Sequence, residues 1–147
     1  MKNMLKKYRK AKGFTLVELL IVIVIIGILA GMMMLTTGSA TDKAEATKII
    51  ANLRGLKAAA LMCYADENEW PSDIASLDRY VDQSIGGASS DYAITTSGDY
   101  VTYSNAEKLS SGVKEKLETM AEEVGLTAGA GATPFTKGST TVGMKVR

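Results

Sequence analysis

Two hydrophobic periodicities divide the chain. From Leu19 to Leu35 the sequence LLIVIVIIGILAGMMML carries no charge, and adding Phe14–Val17 extends this apolar stretch to 22 residues broken only by Glu18. As a helix rising 1.5 Å per residue it is ~33 Å long, close to the ~30 Å hydrocarbon thickness of a bilayer. The β-branched run Ile21–Ile26 favours a strand in water. In lipid a single segment satisfies its backbone only as a helix, so residues 14–35 are predicted to span the membrane as one. Beyond it the period changes. Ala46, Ile49, Leu53, Leu56, Ala60 and Cys63 recur every three or four residues, one apolar stripe on an amphipathic helix over 36–65. Lys43, Glu45, Lys48, Asn52, Arg54 and Lys57 fall mostly off the stripe. It is expected to pack on the chain's own head, with a coiled coil as the alternative. Asp66-Glu67-Asn68-Glu69 ends the pattern and Trp70-Pro71 marks a break.

Residues 66–147 read as a small head. Pro71–Val81 suggests a short helix with Ile74, Leu77 and Val81 on one face, followed by a Gly86–Ser90 loop. Asp91–Ser104 reads as a hairpin turning at Thr96-Ser97-Gly98-Asp99. Ser110 or Ser111 is placed to cap a helix over Val113–Val124, with Val113, Leu117, Met120 and Val124 on one face and Gly125 as its stop. Thr127–Pro134 reads as a loop of small residues. Thr140–Val146 alternates, with Val142, Met144 and Val146 on one side, and predicts a last strand. The expected fold is α+β: one long N-terminal helix, membrane-spanning in its first half and amphipathic in its second, packed on a small antiparallel sheet with one or two short helices.

Composition adds an asymmetry. Residues 1–13 hold six of the 17 basic side chains and no acid, leaving 11 basic against 16 acidic, about −5 in formal charge, for the remainder. The basic N-terminal stretch predicts a cytoplasmic N-terminus by the positive-inside rule. The acidic body gives no reason to expect nucleic acid as a partner, which calls for a basic surface. Histidine is absent, which removes the commonest general base and zinc ligand. One cysteine, Cys63, closes no disulfide within the chain and sits on the apolar stripe, where a buried structural role is expected. Asp66, Glu67 and Glu69 invite a calcium reading but lack EF-hand spacing and read as a solvated helix end. Gly129-Ala130-Gly131 lacks the Lys-Ser/Thr of a phosphate loop. No catalytic, metal or cofactor set emerges, and the chain is not expected to be an enzyme.

Glu18 is the residue that demands an explanation. A carboxylate in an apolar segment costs ~2.5–3.5 kcal/mol at a helix centre and less near the interface. Neither a secretory signal cut near Thr36–Ala40 nor a plain membrane anchor gains from it, and a snorkelling interfacial acid is the remaining simple account. If the chain is cut between Gly13 and Phe14, a new α-amine appears at Phe14, with a reference pKa of about 8. Phe14 and Glu18 lie four residues apart, on one face of a helix that starts at Phe14. That amine is placed to neutralise its own Glu18 or that of a neighbouring copy.

The residues Lys12-Gly13-Phe14-Thr15-Leu16-Val17-Glu18-Leu19-Leu20 closely resemble the processing signal of type IV prepilins and the related type II secretion pseudopilins: a basic leader, a Gly, an N-terminal aromatic, Glu as the fifth mature residue, then an apolar helix. The resemblance covers about residues 1–65. It implies a leader at 1–13 removed by a prepilin peptidase after Gly13, methylation of the Phe14 amine, a filament-core helix at 14–35 continued through 36–65, and a head at 66–147. It implies a structural subunit of a type IV pilus-like filament serving adhesion or motility, with a major pseudopilin of a type II secretion system or a competence pilin for DNA uptake as alternatives. The implied partners are like subunits, the peptidase and methyltransferase, membrane lipid and an inner-membrane assembly platform. The implied location is the inner membrane as a single-pass precursor, then an extracellular pilus or a periplasm-spanning pseudopilus. One departure is Leu35, where many relatives carry proline. No proline kink is expected there, and Gly27, Gly31 and Gly38 remain as sites of either softening or close helix packing. Met32–Met34 read as flexible apolar filler.

Overall fold

The computed structural model describes residues 13–81, 85, 91–95 and 97–147. Helix α1 runs Leu16–Glu67. The chain divides at Thr37/Gly38 into two units. In the first unit, Phe14 and the large apolar residues from Leu16 to Met34 are exposed. Within α1 an 18-residue window reaches a mean hydropathy of 2.9. By length and composition this helix is able to cross a membrane.

The second unit holds a packed head. After α1 come a 3-10 helix at Ala75–Tyr80, strand β1 (Tyr92–Ile94), strand β2 (Tyr100–Tyr103), helix α2 (Ser111–Val124), strand β3 (Leu126–Ala128) and strand β4 (Val142–Lys145). The four strands form one sheet in the order β1-β2-β4-β3. Every neighbouring pair is antiparallel, with Tyr92 opposite Tyr103, Val101 opposite Met144 and Leu126 opposite Met144. The amphipathic stripe of α1 is the spine of this unit. Ala46, Ile49, Leu53, Leu56, Ala60 and Cys63 are all 0–1% exposed, and Ile50 and Ala59 widen the buried face. Against them pack Ile94, Val101 and Tyr103 of the hairpin, Val113 and Leu117 of α2, Phe135, and Val142 and Met144 of β4. Burying each Leu, Ile or Val contributes roughly 1.5–3 kcal/mol, so this face, not helix propensity, holds α1 in the head. The packing on the chain's own head is the outcome expected from the stripe.

The ends of α2 follow from local chemistry. Ser110, not Ser111, is the N-cap: its hydroxyl accepts from the Val113 amide at 3.2 Å and donates to Asp42 of α1 at 3.2 Å. Gly125 closes the helix in the left-handed region at φ 74°, its amide bonded to the Ala121 carbonyl.

Four expectations are revised. Pro71–Val81 contributes only the 3-10 helix Ala75–Tyr80, because Asp73 captures the Ser76 amide at 2.9 Å in a local turn and leaves too few residues for an α-helix. Residues Thr127–Pro134 are not simply a loop. Leu126–Ala128 form β3, and Thr127 bridges to Pro134. The last strand is shorter than Thr140–Val146, spanning Val142–Lys145. The start of α1 at Leu16 instead of Phe14 bears on the site below. The Gly86–Ser90 loop and Thr96 of the hairpin turn lie outside the described residues.

Gly143 sits in β4 where the backbone of Gly129 comes close: a Cβ at Gly143 would clash with the Gly129 carbonyl oxygen. Gly129 itself holds φ at 65° and accepts from the Thr127 hydroxyl at 2.8 Å, so it does not retreat freely. Gly143→Ala is therefore expected to destabilise the head by at least the ~1–3 kcal/mol of a typical overpacked site. Chemical denaturation of the full chain in detergent micelles, followed by Trp70 fluorescence, measures it; a midpoint equal to that of the unsubstituted chain would contradict the close approach.

Candidate functional site

The sequence singles out Gly13, Phe14 and Glu18. The structure brings Phe14 and Glu18 to one place, bordering a shallow crevice with Leu19, Ile21 and Val22. Gly13 lies exposed just ahead of them. All three are solvent-facing within the chain, with Phe14 88% exposed.

What joins them is Thr15. Its carbonyl accepts the first helical hydrogen bond, from the Leu19 amide at 3.2 Å, which makes Thr15 the N-cap of α1. Its hydroxyl accepts from the Glu18 amide at 3.2 Å. In return the Glu18 carboxylate accepts, through Oε2, from the Thr15 amide at 2.8 Å and from the Thr15 hydroxyl at 2.8 Å. This reciprocal arrangement is a capping box, in which two otherwise orphaned amides at the helix start are satisfied by side chains. The signal was present in the sequence as Thr15-Leu16-Val17-Glu18, the S/T-x-x-E pattern ahead of an apolar run, and it was not singled out above.

The capping box revises how Phe14 and Glu18 meet. Phe14 precedes the helix, so the two do not share a helical face at i and i+4 spacing. The cap turns the chain at Thr15 and folds the Glu18 carboxylate back toward the residues just before the helix. Three consequences follow for its chemistry. The carboxylate sits at the positive end of the α1 macrodipole. Its Oε2 is already occupied by two donors. Its Oε1 makes no hydrogen bond among the described residues, which leaves one acceptor atom for a donor from outside. Among the described residues, the site is thus an anchored anion with one acceptor oxygen left over, set in an otherwise apolar surface.

In the head, Cys63 is buried and its Sγ lies 3.8 Å from Glu67 Oε2. Burial, reinforced by the charge of Glu67, pushes its thiol above the ordinary value, as suits a structural cysteine instead of a nucleophile. Glu67 is also 3.5 Å from Arg79.

Known proteins resemble the same end of the chain. The prokaryotic N-terminal methylation motif matches residues 8–34. A fimbrial protein of Neisseria meningitidis serogroup A is 42% identical over 65 residues, which cover 44% of this chain and 38% of that protein. The type IV major pilin protein PilE of Neisseria gonorrhoeae is 38% identical over 76 residues, covering 52% of this chain and 46% of PilE. The type II secretion system core protein G of Aeromonas hydrophila is 35% identical over 75 residues, covering 51% of this chain and 52% of that protein. The chain thus spans about two fifths to one half of the length of these relatives. No solved structure matches. The methylation motif and these relatives make the N-terminal half of the chain similar to type IV pilins and type II secretion pseudopilins, and its long N-terminal helix on a small antiparallel sheet is the α+β architecture expected from that resemblance.

Thr15→Val removes the hydroxyl and retains the side-chain shape. Loss of an N-cap costs about 1 kcal/mol, so the Glu18 amide is expected to exchange its hydrogen roughly fivefold faster. Hydrogen exchange of the full chain in detergent micelles reads this. Unchanged protection at Glu18 would mean that the hydroxyl does not cap the helix.

Proposed function

We propose that the chain is a structural subunit of a type IV pilus-like filament. The observation that carries the proposal is the capped Glu18 carboxylate beside Phe14, at the start of a helix apolar enough to span a bilayer. In this proposal residues 1–13 are a leader, cut away between Gly13 and Phe14 by a prepilin peptidase, and the Phe14 amine is then methylated. Residues 14–35 hold the precursor in the cytoplasmic membrane with its N-terminus inside, and later form the filament core. Residues 36–65 continue the helix into a head at 66–147.

The physical logic runs from the charge. Moving an apolar helix from lipid into a bundle of like helices gains little hydrophobic free energy, because lipid tails are as apolar as the side chains. Packing and polar pairing must select the register. Cleavage creates a cation at Phe14 where the precursor has only a peptide bond. The capped Glu18 offers Oε1 to such a cation on its own chain or on a neighbour. A register that leaves the carboxylate without that partner retains a poorly solvated charge and is disfavoured. The Neisseria relatives named fimbrial protein and type IV major pilin favour a pilus, and adhesion or motility is the service proposed for it. The relatives named type II secretion system core protein G favour a second reading, a subunit of a secretion pseudopilus, which uses the same assembly logic.

Two variants test the proposal. Gly13→Val is expected to block cleavage, so that the chain keeps the mass of the precursor; a mature-sized product from this variant would place the cut elsewhere. Glu18→Ala is expected to be cleaved and inserted normally, yet to give few fibres by electron microscopy of sheared cells. Fibre numbers equal to those of the parent chain would exclude the pairing role.

A further inference from the structure

The second half of α1 has an exposed face opposite its buried stripe. Lys43, Lys48 and Arg54 stand exposed on it, and none of them makes an ion pair among the described residues. The ion pairs there are Arg79–Glu67, Lys108–Asp91, Lys137–Glu115 and Arg147–Asp99, all elsewhere in the head. Between the lysines the floor is shallow and built of small side chains, Ala40, Ala44, Thr47 and Ala51. The far end of the same helix and the segment after it are mostly of the opposite sign: Asp66, Glu69 and Asp78 are exposed and make no ion pair among the described residues, while Arg79 there pairs with Glu67.

We propose that the basic face of α1 around Lys43, Lys48 and Arg54 docks the acidic end of α1 and the segment after it, with Asp66, Glu69 and Asp78, of a second copy of this chain. The proposal rests on the filament reading above and deepens it by naming a head-to-head contact. Three arguments favour this occupant. First, the two patches are complementary in charge and differ in position on one molecule, so the contact is heterologous and generates an open assembly instead of a closed dimer. Second, Lys48 and Asp66 are 18 residues apart in one helix, which at 1.5 Å per residue sets an axial offset of ~27 Å between copies. Third, a lipid surface is a poorer match. A helix that lies on a membrane inserts large apolar side chains between its cations, whereas the floor here is alanine and threonine.

Each exposed pair is worth little alone, so the effect comes from several pairs acting on register and partner choice.

The test uses the full chain in cells that assemble fibres. Two differently tagged copies are co-expressed, one carrying Lys48→Cys and the other Glu69→Cys. Mild oxidation is expected to give a mixed disulfide dimer that neither copy forms alone. In parallel, Lys48→Glu is expected to lower fibre number about fivefold, the upper range for one exposed pair, and Glu69→Lys in the same chain to restore it. Fibres that form with no mixed dimer and no response to the charge swap would overturn the docking proposal and leave the filament reading standing. Absence of fibres from the unsubstituted chain would remove both. If Lys48→Glu leaves fibres unchanged but weakens binding of the purified chain to phosphatidylglycerol vesicles, the face serves lipid headgroups and the proposal is wrong.

Discussion

A carboxylate at the start of a greasy helix has to be satisfied by something. Glu18 is satisfied twice over by Thr15, through its amide and its hydroxyl. These bonds serve the carboxylate and the backbone together: the amides that open α1 lack helical partners, and the side chains of Thr15 and Glu18 supply them. The apolar segment can therefore carry an acid without leaving it bare. What the cap does not supply is a counter-charge. Thr15 offers neutral donors, and in a medium that excludes water a neutral cap lowers the cost of the anion without cancelling it. The proposed filament depends on this residue of unmet demand. Complete internal neutralisation would make Glu18 indifferent to its neighbours, and a bare carboxylate would oppose membrane residence.

The same helix does different work in its two units. From Leu16 to Met34 its large apolar side chains are exposed. From Ala46 to Cys63 one stripe is sealed by the sheet, α2 and Phe135, while the opposite face stays open. The head thus uses α1 as its core on one side and presents it on the other. The small side chains of that open face permit close approach of another surface, and the exposed cations along it give the approach a preferred sign.

Much of this was legible in the chain because it depends on local periodicity. The stripe from Ala46 to Cys63 gave the buried face residue by residue, and Gly125 gave the end of α2 through its left-handed conformation. Strand β3 was missed because Leu-Thr-Ala after a helix stop carries no alternation of its own. It becomes a strand only by pairing with Val142–Met144, a contact that no local window contains. The 3-10 helix was overread as an α-helix because Ile74, Leu77 and Val81 fit helical spacing, while the Asp73–Ser76 turn that shortens it is a side-chain effect. At the site, Glu18 stood out by charge logic and Phe14 by the prepilin-like signal around it. Their true relation did not, because it runs through Thr15, a residue whose hydroxyl competes with the backbone for the helix start.

The most direct test of the central claim is the ionisation state and neighbour of Glu18 in assembled fibres. Solid-state NMR on fibres labelled with carbon-13 at the Glu18 carboxyl and nitrogen-15 at Phe14 reads both at once. The account predicts a carboxylate shift typical of the ionised form, together with a dipolar coupling between that carbon and a Phe14 nitrogen that reports as an amine. A protonated Glu18, or an ionised Glu18 with no coupling to Phe14, would contradict it.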